Sequence, residues 1–287
     1  EDNGSPKVSS LENLLGADDS IKLVSLMHIN NEIGNILDLQ LIGNLTKTYG
    51  ALFHSDAVQA VGKIPINFME SGLSMMSVSA HKIGGPTGIG ALVVADNVVL
   101  KPVLVGGGQE KGRRSGTENI LGAIGFGKAA EVVIQNSGEN TKVKNLRDLF
   151  GTKLSQHFPR VNILSQNVSR LGNTSAIVMP GVLAETQVMG FDLEGIWLSA
   201  GAACSSGKVK RSHVVEAMKI GDEPATNTIP DCNFYHYSLQ LSLYRYLLEE
   251  YYGLSIKSQF IAHLKEDYAR GIEVPYMKNE ILKMLGK

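Results

Sequence analysis

Residues 21–29, IKLVSLMHI, form a nearly continuous apolar run rich in β-branched side chains, which predicts a buried strand. A polar turn, Asn30-Asn31-Glu32-Ile33-Gly34, follows, and residues 38–48 carry apolar side chains at helical spacing. Ala51-Leu52-Phe53-His54 reads as a second short strand ending at Ser55-Asp56, residues 57–62 as a short helix, and Met75 to Ser79 as a third strand running into Ala80-His81-Lys82. A glycine-rich turn from Gly84 to Gly90 leads to a fourth strand, Ala91 to Ala95. Strands alternating with helices at this spacing predict an α/β fold with a mostly parallel sheet covered on both faces.

Downstream, GGGQEKGRRSGT (106–117) is a glycine- and arginine-rich loop, and 119–135 has a helical pattern. A charged helix (142–157), short strands (161–165 and 174–179) and another helix (182–190) follow. Ile196-Trp197-Leu198-Ser199 then leads into Gly201-Ala202-Ala203-Cys204. This stretch reads as a second, smaller α/β domain. Near residue 230 the composition breaks: eight of the nine tyrosines lie beyond it, against three of the 31 glycines. One continuous fold rarely partitions its residues so unevenly. The expected organisation is a large domain over 1–138, a small domain over 139–229, and a separate tyrosine-rich helical tail over 230–287.

Composition narrows the function classes. The 287 residues carry a net charge of −1, so no basic excess points to nucleic acid. Two cysteines, Cys204 and Cys232, form no disulfide framework and suit a reducing, cytoplasmic setting. No apolar run reaches the roughly 18 residues of a membrane span. The chain starts at Glu1 in sequence that reads as mid-domain, as a fragment would.

The candidate chemistry gathers at the predicted strand ends. A lysine directly after a buried strand is costly unless its amine finds a partner or leaves the core, and Lys82 is such a lysine. A Schiff base would account for it. Pyridoxal phosphate (PLP) needs an acid at its pyridine nitrogen, and Asp56 ends a predicted strand, where parallel sheets place ligands. Gln59 lies one short turn on, Asn31 follows the first strand, and Ser79 and His81 flank Lys82. Each also has a purely structural reading: Asp56 as a cap, Asn31 as a turn residue, His81 as a satisfied histidine. Their coincidence at successive strand ends favours a ligand site. Cys204 sits among Gly201, Ala202, Ala203, Ser205, Ser206 and Gly207, with Lys208, Lys210 and Arg211 close in sequence. That setting suits an accessible thiol able to ionise. Cys232 has no such setting and is given no role.

Five segments carry a family resemblance: INNEIG (29–34), HSDAVQAVGK (54–63), SVSAHKIGGPTGIGAL (77–92), GGGQEKGRRSGTEN (106–119) and SAGAACSSG (199–207). In order and spacing they resemble the class V aminotransferase family, and within it the NifS/IscS-type cysteine desulfurases. The resemblance implies a type I PLP-dependent transferase fold, incomplete at its N-terminal side, with a smaller α/β domain. It also implies PLP on Lys82, Asp56 at the pyridine nitrogen, Gln59 at the phenolic oxygen, Ser79 and His81 at the phosphate, and Asn31 beside the ring. Thr117 would reach the partner subunit's cofactor in a homodimer. Cys204 would take sulfur from L-cysteine as a persulfide, leaving alanine. The sulfur would pass to an acceptor or scaffold protein for iron–sulfur clusters or thio-modified products.

The chain departs from that pattern in two places. The family's ring-stacking histidine and a phosphate-binding threonine precede the point where this sequence begins. Its carboxylate-binding arginine, about 26 residues after the catalytic cysteine, has no counterpart, since Thr228-Ile229 runs into Pro230. A working desulfurase and a shortened, impaired homologue or fusion remnant are therefore both open on these residues. The tail 233–264 resembles, through Gln240 and Tyr244, a late segment of RecB-like nucleases without the metal ligands. It also reads as an amphipathic helix packing its Leu and Tyr face.

Overall fold

The computed structural model describes residues 1–135, 140–201, 212–219, 245–246, 249–250, 255, 260–264, 269–273 and 275–284. The backbone forms two compact units: Glu1–His157 with Ile163–Ala176, and Phe158–Asn162 with Ile177–Lys287.

The first unit opens with helix α1, Val8–Ala17, which the hydrophobic pattern did not announce. Strand β1 is Leu23–Met27, helix α2 Leu39–Thr48, strand β2 Leu52–Asp56, strand β3 Met75–Ser79 and strand β4 Gly90–Val94. Helices α3, Ile120–Gln135, and α4, Asn140–His157, complete it. Asp38 starts α2 by accepting a hydrogen bond from the Leu41 N–H at 3.0 Å, satisfying one of the free amides of the first turn.

The sheet order is β1-β2-β3-β4. β1, β2 and β3 run parallel, and β4 returns antiparallel to β3. Helix α2 makes the long connection that parallel neighbours β1 and β2 require. Between β2 and β3 the expected helix over 57–62 is a chain of turns instead. Gly62 takes a left-handed conformation at φ +79°, and Pro65 follows closely, leaving too few residues to propagate a helix.

One sheet face builds the core. Val24, Phe53 and Met76 pack with Leu15 of α1 and with Leu39 and Ile42 of α2. Gly43 of α2 sits so close to the Ser71–Gly72 backbone that a Cβ there would meet it at 2.8 Å, so only glycine allows this approach. The other face is mixed, with Met75 buried on it. Leu23, Leu52 and Leu92 on it are 50%, 39% and 47% exposed. That face is half polar, carrying Ser25, His54, Asp56, Ser77 and Ser79 between the apolar positions. Sheets buried on both sides are apolar on both.

His28, just beyond β1, is buried on the helical side, and its Nδ1 has no partner among the described residues. Burial holds its pKa below the ordinary value of 6.5. Above that pH the ring is neutral whether the chain is folded or not. As pH falls through 6.5 the unfolded chain takes up the proton first, so native stability declines. Urea midpoints at pH 7.5 and 5.5 are expected to differ in that direction, and His28→Leu to shrink the difference. An unchanged difference in the variant would assign the acid sensitivity elsewhere.

The second unit holds helices α5, Ala184–Leu193, and α6, His213–Ala217, the antiparallel pair β5, Phe260–Leu264, and β6, Ala269–Glu273, and helix α7, Lys278–Met284. Tyr246 and Ile281 are buried together, with Met189 and Tyr276 packed against them. The Arg245 guanidinium lies 4.2 Å from the Tyr276 ring centroid and bonds Glu249 at 2.9 Å. No described helix is long and apolar enough to cross a membrane.

Candidate active site

Because β1, β2 and β3 are parallel, their carboxyl ends lie on one edge of the sheet. Six of the seven cofactor-site residues expected from sequence follow or close those ends: Asn31 after β1, Asp56 and Gln59 at β2, and Ser79, His81 and Lys82 at β3. The register sets Met27, Asp56 and Ser77 side by side.

Lys82 lies on a short 3₁₀ turn, Ala80–Ile83, closed by Gly84 at φ +82°. Ala80 is fully buried, and its carbonyl accepts from the Gly85 N–H at 2.9 Å. Helix α3 braces the turn: a Cβ on Gly85 would touch both Ala80 and Ala129. The turn is thereby fixed while the Lys82 side chain is half-buried, and its amine has no hydrogen-bond or ion-pair partner among the described residues. Ser79 Oγ lies 2.8 Å from His81 Nδ1, which joins the two expected phosphate ligands into one pair.

Asp56 does part of what its structural reading predicts. One carboxylate oxygen accepts from the Val58 N–H at 3.0 Å and starts the turn that follows. That turn brings round Gln59, whose backbone carbonyl and Oε1 both accept from Lys63 Nζ, at 3.0 and 3.1 Å. Burial, with the Lys82 charge adding to it, lowers the Lys63 pKa from the usual 10.5. The two Asn residues separate by role. Asn30 Oδ1 accepts from the Glu32 and Ile33 amides and holds the turn, while Asn31 is half-buried beside it.

Two residues of this edge were not singled out by sequence. His54, two positions before Asp56 on the same face, bridges Ser25 Oγ and Ser77 Oγ at 2.8 Å each, so a polar row crosses three strands. Period-two spacing from Asp56 was the available signal. Lys63 stands four residues after Gln59, the separation that lets a lysine reach back over one turn.

Thr117 is exposed in the 106–117 loop and is not drawn into this group. The loop bends sharply there: Glu110 and Lys111 both have positive φ, 53° and 57°, and the Gly116 N–H donates to Gln109 Oε1. Cys204 and Cys232 lie outside the described residues, as do Gln240 and Tyr244 of the nuclease resemblance.

The donor set fits PLP. It offers an unpaired amine, a carboxylate with one oxygen uncommitted to the turn, an amide whose oxygen is already engaged, and a hydroxyl–imidazole pair. The mostly parallel α/β sheet is that of a type I PLP-dependent fold. The chain belongs to the class-V aminotransferase family, whose match runs over residues 1–250, beyond 207, where the last of the five motifs ends. It is 43% identical over 200 residues to a cysteine desulfurase of Cereibacter sphaeroides, covering 70% of this chain and 51% of that one. It is 41% identical over 227 residues to cysteine desulfurase 2 of Trichormus variabilis, covering 79% and 54%. Among solved structures, a NifS-like protein from Rickettsia africae superposes with a TM-score of 0.70 at 43% identity, over 78% of this chain and 59% of that one. The chain thus spans about half the length of the curated relatives it matches.

Proposed function

We propose that this chain carries the PLP-binding core of a cysteine desulfurase. The observation that carries the reading is the unpaired Lys82 amine at the end of β3, with Asp56 and Gln59 at the end of neighbouring β2. The relatives named as cysteine desulfurases support the substrate assignment. Lys82 would hold PLP covalently. Asp56 would keep the pyridine nitrogen protonated through its uncommitted oxygen. Gln59 would donate to the ring oxygen, Ser79 and His81 would bind the phosphate, and Asn31 would flank the ring. When bound, PLP supplies an electron sink for the carbanion-like charge that develops as the substrate loses a proton.

Cys204 is the proposed sulfur-taking thiol. A new S–S bond to the substrate sulfur forms as the substrate C–S bond breaks, so L-cysteine and the enzyme thiol become alanine and an enzyme persulfide. A sulfur acceptor or iron–sulfur scaffold protein would receive the outer sulfur, in the cytoplasm. Thr117 would serve the partner subunit's cofactor in a homodimer. The PLP-binding part lies within 1–138 in this reading, and the Cys204 loop within 139–229.

Purified chain supplied with PLP and L-cysteine is expected to release alanine and to carry labelled sulfur on the Cys204 peptide. Cys204→Ser is expected to keep the yellow colour of bound PLP while losing the label. Colour without alanine release in the unaltered chain would mark an impaired homologue that binds PLP and does not turn over.

A further inference from the structure

We propose that Lys63 is a positioning residue of the cofactor site, acting through Gln59. The inference rests on the reading of this edge as a PLP site and assigns a role to a side chain that lies outside the expected ligand set.

A glutamine side chain has one accepting oxygen and one donating NH₂, and rotation by half a turn about its last bond exchanges them. An isolated Gln59 could therefore face a cofactor with either end. An ammonium group only donates. Lys63 Nζ donates to Gln59 Oε1 at 3.1 Å, which leaves the donating Nε2 as the end that a cofactor would meet. A donor is what an ionised ring oxygen needs, whereas an outward Oε1 would repel it. The same amine also bonds the Gln59 carbonyl at 3.0 Å, so backbone and side chain of Gln59 are gripped together. The clasp is charge-assisted and half-buried, where such bonds are stronger than between neutral groups in water. Lys63 also lies near enough to Lys82 to feel its charge. A cation held there favours an anionic ring oxygen over a neutral one.

Gly62 keeps Lys63 in register. Its φ of +79° redirects the chain between Val61 and Lys63, and a Cβ there would meet the Val133 side chain of α3 at 2.7 Å. The clasp is therefore part of the packed turn.

Coupling between the two side chains tests the proposal. Apparent PLP affinity is measured by absorbance titration for the full chain, Lys63→Met, Lys63→Arg, Gln59→Ala and the Lys63→Met/Gln59→Ala pair, with circular dichroism confirming folding. Lys63→Met is expected to weaken PLP binding about tenfold, the scale of one hydrogen bond to a charged group. Lys63→Arg, which still donates, is expected to recover most of that loss. In the Gln59→Ala background the Lys63→Met effect is expected to shrink to less than about twofold, because contacting residues that act through one another are not additive. Equal losses in both backgrounds would overturn the proposal, since Lys63 would then act independently of Gln59. Unchanged affinity in Lys63→Met would overturn it too. Unaltered chain that takes up no PLP would instead bring down the cofactor site itself, an outcome visible before any variant is made.

Discussion

Lys82→Ala is expected to abolish stable PLP retention and to reduce alanine release from L-cysteine by at least about a thousandfold, the scale seen when a covalent catalytic group is removed. Lys82 is the amine at the sheet edge that the described residues leave without a partner. Its turn is fixed by Ala80, Gly84 and α3, so the substitution removes the amine and little else. Lys101→Ala, an exposed lysine in the loop after β4, is the control and should leave both readouts within about twofold. Similar losses in the two variants would trace the effect to general destabilisation rather than to the Lys82 amine.

The second large effect concerns stability and contrasts two adjacent residues. Phe53 is fully buried in the core beneath α1 and α2, and Phe53→Ala is expected to cost about 3–5 kcal/mol in denaturant unfolding. That is a large share of the roughly 5–15 kcal/mol typical of a folded domain. Leu52 precedes it in the same strand, points to the opposite face and is 39% exposed. Leu52→Ala is expected to cost about 1–2 kcal/mol, well below Phe53→Ala, because more than a third of its surface already meets water. A Leu52→Ala cost close to that of Phe53→Ala would mean that the second face is covered in solution.

Much of this architecture is legible in the sequence because strands and turns here are locally determined. Met75–Ser79 matches its predicted limits, and β1, β2 and α2 lie within a few residues of theirs, since apolar runs bounded by Asn, Asp and Gly leave little choice. The turns after β2 hinge on the left-handed Gly62, whose conformation the apolar spacing over 57–62 does not show. The polar row Ser25, His54 and Ser77 is a period-two signal that a reading of the strands as plain apolar runs passes over. The site divides in the same way. Residues at strand ends, such as Asp56 and Lys82, announce themselves through burial cost. The Lys63–Gln59 clasp becomes visible only once the turn between them is seen, because the same spacing on a surface helix would be an unremarked lysine.

The attachment of PLP to Lys82 is tested by borohydride reduction followed by peptide mass mapping. Reduction fixes the cofactor to whichever amine carries it, and nearby Lys63 supplies a built-in competitor. One modified peptide is expected, containing Lys82, with the label lost in Lys82→Ala. Label on Lys63 or another lysine in the unaltered chain, or no label at all, would contradict it.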